Sequence, residues 1–99
     1  MVRVPVSAIY YIEKEKNYLI FHTAHGSYKV RGTIAVQEER VAGMGFAKCN
    51  SGCIVNLAHV TGIFRESIRV RETEIPIARQ HRKLFHELLM NYIRDGVNP

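Results

Sequence analysis

The first third of the chain alternates between apolar, strand-like runs and short polar stretches. Residues 7–13 and 18–22 are rich in aromatic and β-branched side chains, and the charged residues 14–17 separate them. Such runs favour strands. A His-Gly pair then supplies a second chain reversal before a third run at residues 27–30. The pattern predicts a three-stranded antiparallel meander with a basic hairpin tip.

The second half contains three further strand-like runs, at residues 60–64, 67–70 and 74–77. In the middle run, Ile68 and Val70 alternate with polar residues. This period of two predicts a sheet with one wet face. Arg69 and Arg71 are interpreted as solvated surface charges in preference to DNA contacts.

Two helices are predicted from capping residues and apolar spacing. Thr33 is a good N-cap for a helix over residues 34–42, and glycines follow that segment. Residues 79–93 form an amphipathic pattern that an Asp-Gly pair should end. Its apolar side chains, interpreted as core, are Leu84, Phe85, Leu88, Leu89, Tyr92 and Ile93.

The length of 99 residues indicates one domain, over residues 1–99, with a modest core and no room for a large enclosed active site. No apolar run approaches the roughly 18 residues of a membrane span, and the start lacks the apolar region of a secretory signal. We expect a soluble, cytoplasmic protein. The net charge of +5 favours a polyanionic partner, with nucleic acid ahead of an anionic membrane surface.

Catalytic and metal-binding patterns are not found in the sequence. Cys49 and Cys53 lie four residues apart, and a strand would hold their Cα atoms too far apart for a disulfide, so we interpret them as reduced, half-buried core thiols. None of the five histidines pairs with a further Cys or His at zinc-site spacing. No nucleophile motif, phosphate loop or dinucleotide fingerprint is present. We expect no enzyme activity, metal, cofactor or small-molecule substrate.

Nucleic-acid binding has better support. Residues 14–17, 48–51 and 79–83 each combine a cation with a hydrogen-bonding side chain near a predicted turn. Cations in loops neutralise phosphates, whereas Asn, Gln and Arg can read base edges. Each cluster alone is more typical of a solvated turn, but three together favour binding. The candidate phosphate-backbone residues are Lys14, Arg82 and Lys83.

Four segments carry a resemblance to a known family: IYYIE with NYL (residues 9–13 and 17–19), YKVRGTI (28–34), GFAKCNSGCIVNL (45–57) and IPIAR (75–79). Over residues 7–93 the chain resembles a LytTR domain, the DNA-binding output module of LytR/AlgR-family bacterial response regulators. The resemblance implies a mainly β fold. It further implies an elongated arrangement of three antiparallel sheets, with one short central helix and a C-terminal amphipathic helix.

The resemblance also implies a function. The chain is expected to bind double-stranded DNA at paired direct repeats, with its loops in successive major grooves of bent DNA. A receiver domain upstream in a full-length two-component regulator is implied as well. By family position, the expected DNA-binding residues are Lys16, Asn17, Tyr18, Lys48, Asn50, Ser51 and Arg79.

Residue types suggest different roles within that set. Arg79 is the best candidate for bidentate guanine readout, Asn50 suits adenine or phosphate, and Lys48 suits the backbone. Asn50-Ser51-Gly52 replaces a more polar triplet such as His-Arg-Ser, so the chain should read a different sequence or depend more on Arg79 and the first loop. Asn56 is a family signature that we interpret as a structural hydrogen-bonder.

Two other functions compete with DNA binding. One is a protein-interaction module that docks a partner on a sheet edge or on the helix face around Tyr92. The other is a small RNA-binding β domain, although the paired aromatics of a base-stacking sheet are not evident.

Overall fold

The computed structural model describes residues 3–97, which form two antiparallel sheets and two helices. The first sheet has the strand order β3-β2-β1-β5-β4 and contains β1 (Ile9–Glu15), β2 (Tyr18–Thr23), β3 (Gly26–Arg31), β4 (Phe46–Asn50) and β5 (Cys53–Asn56). The second has the order β6-β7-β8 and contains β6 (Val60–Ile63), β7 (Ser67–Val70) and β8 (Thr73–Pro76). The helices are α1 (Ile34–Arg40) and α2 (Arg82–Val97). Single 3-10 turns lie at Val6–Ala8, Leu57–His59 and Arg79–His81.

The predicted opening meander is confirmed. β1 pairs with β2 up to Glu15 opposite Tyr18, so the charged turn shortens to two residues, Lys16 and Asn17. Lys16 has a φ of 57°, as expected for a tight hairpin turn whose twist matches the flanking strands. The basic tip is therefore narrow and rigidly paired.

The expectation of three sheets in an elongated arrangement is wrong. The free edge of β1 pairs with β5, with Tyr11 opposite Val55 and Glu13 opposite Cys53, so the meander and the β4–β5 hairpin merge into one sheet. The molecule measures 37 × 31 × 26 Å with a radius of gyration of 13.0 Å. That radius is typical of a compact domain of this length.

Helix α1 begins as predicted, whereas the predicted start of the second helix at residue 79 is wrong: a 3-10 turn occupies Arg79–His81 and α2 begins at Arg82. Thr33 caps α1, because its Oγ1 accepts a hydrogen bond from the Val36 backbone N–H at 3.3 Å. α2 passes through Gly96 to Val97, so the expected stop at Asp95-Gly96 is wrong. A glycine costs only about 1 kcal/mol inside a helix and does not have to end it. Neither helix within residues 3–97 is both long and apolar enough to cross a membrane.

The core divides into two clusters on opposite sides of the first sheet. Ile34 and Val41 from the α1 segment pack with Ile12, Leu19 and Ile54. The larger cluster brings together both sheets and α2, and its residues are Ala47, Cys49, Cys53, Val55, Leu57, Ile68, Val70, Ile75, Ile77, Phe85 and Leu89. Helix α2 therefore covers the junction between the two sheets.

The cysteines differ from the sequence expectation. Both are free, as expected, but Cys49 is 0% exposed and Cys53 is 5% exposed, so they are fully buried. They lie on two different strands, β4 and β5, rather than along a single strand. The tight turn at residues 51–52 folds the segment back on itself and brings the thiols together.

The structural interpretation of Asn56 is confirmed. Its side chain is 4% exposed. Nδ2 donates to the Ile9 carbonyl oxygen at 2.8 Å, and Oδ1 accepts from the Ala58 backbone N–H at 3.1 Å. The amide therefore ties the start of β1 to the end of β5, and both of its ends are satisfied.

The packing of α2 gives a stability prediction. Replacing Phe85, which is 0% exposed, with Ala should lower the free energy of unfolding by about 3–5 kcal/mol, because it removes a large ring and leaves a cavity. The neighbouring Leu84 is 59% exposed, so Leu84→Ala should change the free energy of unfolding by no more than about 0.5 kcal/mol. Urea unfolding followed by circular dichroism measures both. Equal costs for the two variants would contradict this packing.

Candidate nucleic-acid interface

Four chain segments meet at one end of the first sheet, where the strands begin, end or turn. The Lys14 backbone N–H donates to the Gly52 carbonyl at 2.8 Å, which joins the β1–β2 hairpin to the β4–β5 turn. The Gly32 N–H donates to the Asn17 carbonyl at 3.2 Å, and the Ala78 N–H donates to the Cys49 carbonyl at 2.9 Å. We call this surface the tip edge, formed by residues 14–18, 31–33, 48–52 and 76–79.

The tip edge contains an open, basic groove of about 610 Å³. Four cationic side chains line it, together with the hydroxyls of Thr33 and Ser51, and none of its lining residues is acidic. The four cations come from three separate segments and are Lys14, Lys16, Arg31 and Lys48. Such a surface is suited to a polyanion, because each cation can neutralise a phosphate.

Most of the residues expected from the sequence lie on this edge. Lys16 and Asn17 form the β1–β2 turn and are exposed. Ser51 is exposed in the β4–β5 turn. Arg79 is also exposed, in the 3-10 turn directly after the segment that hydrogen-bonds to β4. The strand order thus gathers residues that are up to 63 positions apart along the chain.

Lys48 lies within strand β4 rather than in the turn. It is two residues from Phe46, whose ring packs against the cluster that includes Ile34, so both side chains lie on the α1 side of the sheet. The Lys48 Nζ lies 4.0 Å from Glu38 Oε1 of α1. The Lys48 side chain is 28% and the Glu38 side chain 49% exposed, and a pair at this distance that water can reach contributes little stability, so the lysine can exchange this carboxylate for a phosphate at small cost.

Tyr18 contacts two cations on the face of the sheet opposite to α1. The Lys29 Nζ lies 5.0 Å and the Arg31 Cζ lies 5.9 Å from the centre of the Tyr18 ring. These distances are typical of cation–π contacts. The ring, which is 38% exposed, therefore already has partners within the protein.

The three cations of the 79–83 segment have different surroundings. Arg82 Nε donates to the Ile77 carbonyl at 3.1 Å, and its Nη1 lies 3.8 Å from Glu66 Oε1. This guanidinium helps to hold the end of β8 against the start of α2. Arg79 and Lys83 are exposed, and neither forms an ion pair with any of the described residues.

Two thiols lie directly beneath the tip edge. Cys49 Sγ lies 3.7 Å from the Cys53 carbonyl oxygen, and Asn50 Nδ2 lies 3.7 Å from the same sulfur. A hydrogen bond between the thiols lowers the pKa of Cys49 and, together with burial, raises the pKa of Cys53. Among the described residues, no group of three or more His, Cys, Asp or Glu is placed to hold a metal ion.

Comparison with known proteins identifies the family. A family model described as the LytTr DNA-binding domain matches residues 1–90. The chain belongs to the LytTR family. A solved structure described as the LytTr DNA-binding domain of a methyl-accepting/DNA response regulator from Bacillus cereus superposes with a TM-score of 0.82. It shares 18% sequence identity, the match covers 89% of this chain and 86% of that chain, and the likeness establishes a common fold. A search of curated proteins found no match.

LytTR domains are a DNA-binding family rather than an enzyme family. The triplet Asn50-Ser51-Gly52 has a structural role in this LytTR domain. Asn50 Oδ1 accepts from the Gly52 N–H at 2.9 Å, and Nδ2 donates to the Pro76 carbonyl at 3.2 Å. The amide closes its own turn, as Asn commonly does, and it also ties that turn to the end of β8. The side chain expected to read DNA thus has a structural role as well.

Replacing Asn50 with Ala should therefore destabilise the domain without any DNA present. The loss of two hydrogen bonds to backbone groups should lower the free energy of unfolding by about 1–3 kcal/mol. Ser51→Ala, at the exposed neighbouring position, should change it by no more than about 0.5 kcal/mol. Urea unfolding tests both variants, and indistinguishable midpoints would show that the Asn50 contacts carry no stability.

Proposed function

We propose that this LytTR domain binds double-stranded DNA in a sequence-specific manner, as the output domain of a bacterial transcription regulator. The main support is the groove of the tip edge, which is lined by four cationic residues from three segments and by the Asn17 amide, and by no acidic residue. Family membership independently favours the same ligand. A basic net charge adds a long-range attraction for DNA.

The shape of the tip edge suggests how it meets the duplex. Its β1–β2 and β4–β5 turns are two-residue hairpin turns at the same end of the five-stranded sheet. The major groove, about 12 Å wide, admits a two-stranded ribbon. The β1–β2 turn would enter the groove with Lys16 and Asn17 foremost, and Ser51 of the neighbouring β4–β5 turn would lie beside it.

Each candidate residue takes a role that follows from its chemistry. Arg79 is exposed and can form two parallel hydrogen bonds to guanine. Asn50 reads adenine or contacts phosphate with the Nδ2 hydrogen that is not used in its structural hydrogen bonds. Lys48 binds the backbone after leaving Glu38. Further backbone contacts come from Lys14, Arg82 and Lys83, with Arg82 the least available because of its bonds to Ile77 and Glu66.

The wider setting is proposed from the family. Two copies of the domain would occupy paired direct repeats on one promoter in the cytoplasm. A receiver domain upstream in a full-length two-component regulator would supply the signal. Binding to duplexes with one or two copies of the selected site tests the first point, since a second copy should recruit a second molecule.

Selection of bound sites from a random duplex library tests the function directly. A recurring motif should be enriched, and affinity for a duplex carrying it should fall steeply with salt as phosphate contacts release counterions. Fluorescence anisotropy between about 50 and 200 mM salt measures the slope. A library without enrichment, or a nearly flat salt response, would count against DNA binding.

Arg79 and Lys48 should be separable by their effects on specificity. Arg79→Ala should cost about 1–3 kcal/mol on the selected site and reduce discrimination, because a base contact is lost. Lys48→Ala should weaken selected and scrambled duplexes by the same factor, because phosphates are the same in both. Arg94→Ala removes an equal charge near the end of α2, roughly 18 Å along the helix axis from Arg82, and serves as the control.

If Arg79→Ala leaves both affinities unchanged, Arg79 is not a base reader. If Lys48→Ala changes only the selected duplex, its contact is to a base rather than to the backbone. A loss with Arg94→Ala equal to that with Lys48→Ala would mean that net charge alone explains the effect.

One observation favours a second function. Leu84, Leu88 and Tyr92 lie on one side of α2 and are 59%, 38% and 39% exposed. An apolar strip of this kind can dock a partner protein. The domain would then be a protein-interaction module without nucleic-acid binding. The library selection separates the two functions, because such a module would enrich no motif.

A further inference from the structure

Arg31 lies on the tip edge but belongs to none of the predicted DNA-binding clusters. It is the last residue of the edge strand β3, it is exposed, and it stands directly opposite Tyr18 of β2. It lines the same groove as Lys14, Lys16 and Lys48. Its guanidinium lies over the Tyr18 ring, at the β3 end of the groove and on the face of the sheet opposite to Lys14 and Lys48.

The two cations over the Tyr18 ring differ in whether a carboxylate of the protein pairs with them. Lys29 Nζ lies 3.0 Å from Glu15 Oε1, so its charge is matched within the protein. Among the described residues, no carboxylate forms an ion pair with Arg31. The ring face thus orients Arg31 without neutralising it, because the attraction of a ring for a cation leaves the charge in place.

The position of β3 in the strand order determines whether Arg31 can reach the bases or the phosphates of DNA. If the β1–β2 ribbon enters the major groove, β3 lies about 4.8 Å further along the edge, beside the ribbon. β3 and β4 are four strand spacings apart, or roughly 19 Å, which exceeds the groove width of about 12 Å. A side chain at the end of β3 therefore lies against the groove wall, which is lined with phosphates, and does not reach the base edges.

We propose that Arg31 is a further DNA-contacting residue that binds a backbone phosphate, and that Tyr18 is a positioning residue that holds its guanidinium. A guanidinium suits this task because it can donate two parallel hydrogen bonds to the two free oxygens of a phosphate. The inference rests on the proposed DNA binding. It changes the role of Tyr18, from a direct DNA contact to an indirect one.

The salt dependence of binding tests Arg31. For B-DNA each neutralised phosphate contributes about 0.9 to the slope of log affinity against log salt. Arg31→Ala should lower the slope by about 0.9 and reduce affinity by the same factor on the selected duplex and on a scrambled duplex of equal length. Arg31→Lys should restore most of the slope, because it keeps the charge.

Arg69→Ala is the control for the loss of one positive charge. The Arg69 Cζ lies 5.5 Å from the Phe64 ring on the second sheet, and its Nη2 lies 3.9 Å from Glu74 Oε1, so it is a strand arginine over an aromatic ring whose charge is matched within the protein. Its removal should leave the slope at the wild-type value. A wild-type slope for Arg31→Ala, or a loss confined to the selected duplex, would overturn the phosphate contact.

A double-substitution cycle tests Tyr18. Tyr18→Phe keeps the ring and should leave binding unchanged, whereas Tyr18→Leu removes the ring face and should weaken both duplexes alike. In the Arg31→Ala background, Tyr18→Leu should cause no further loss. An equal loss with and without Arg31 would show that Tyr18 contacts DNA itself and would overturn its positioning role. Circular dichroism of each variant checks that the fold is intact.

The wild-type measurements distinguish this inference from the function on which it rests. Wild-type protein that shows a steep slope and an enriched motif, alongside an Arg31→Ala variant with an unchanged slope, would overturn the Arg31 contact alone. Wild-type protein with a flat slope and no enriched motif would overturn both.

Discussion

The pairing of β1 with β5 is the contact on which the rest of the structure depends. It joins two hairpins that are separated by α1 and by more than 20 residues of chain. Through it, the β1–β2 turn and the β4–β5 turn lie side by side and are linked by the hydrogen bond between Lys14 and Gly52. Without that register the basic residues would occupy two unrelated loops, and no common groove would form.

Local features of the fold were predictable from the sequence, whereas the way they assemble was not. The meander, the Thr33 cap and the amphipathic α2 follow from residue type and spacing, which act over a few positions. The merging of the meander with the β4–β5 hairpin depends on a long-range strand pairing, and short-range patterns do not encode it. For the same reason the cysteines were placed on one strand, although they face each other across a turn.

In the candidate site, too, the local features were predictable from the sequence, whereas their assembly was not. The residues of the turns could be named because cations and amides in turns are recognisable one segment at a time. Arg31 was missed, although a cation directly before a Gly-Thr helix start was visible in the sequence. Its importance appears only when β3 is placed at the edge of the sheet, beside the β1–β2 ribbon. Likewise, the hydrogen bond from Asn50 Nδ2 depends on Pro76 at the end of β8, which lies 26 residues further along the chain.

The hydrogen bonds that link the four segments of the tip edge also bear on the thermodynamics of recognition. Each segment is anchored to another by a backbone contact of 2.8 to 3.2 Å, and the Asn50 amide braces the second turn. The backbone of this surface is ordered before any ligand arrives. A partner therefore does not have to offset the conformational entropy of ordering flexible loops. Only the long lysine and arginine side chains still lose freedom when the complex forms.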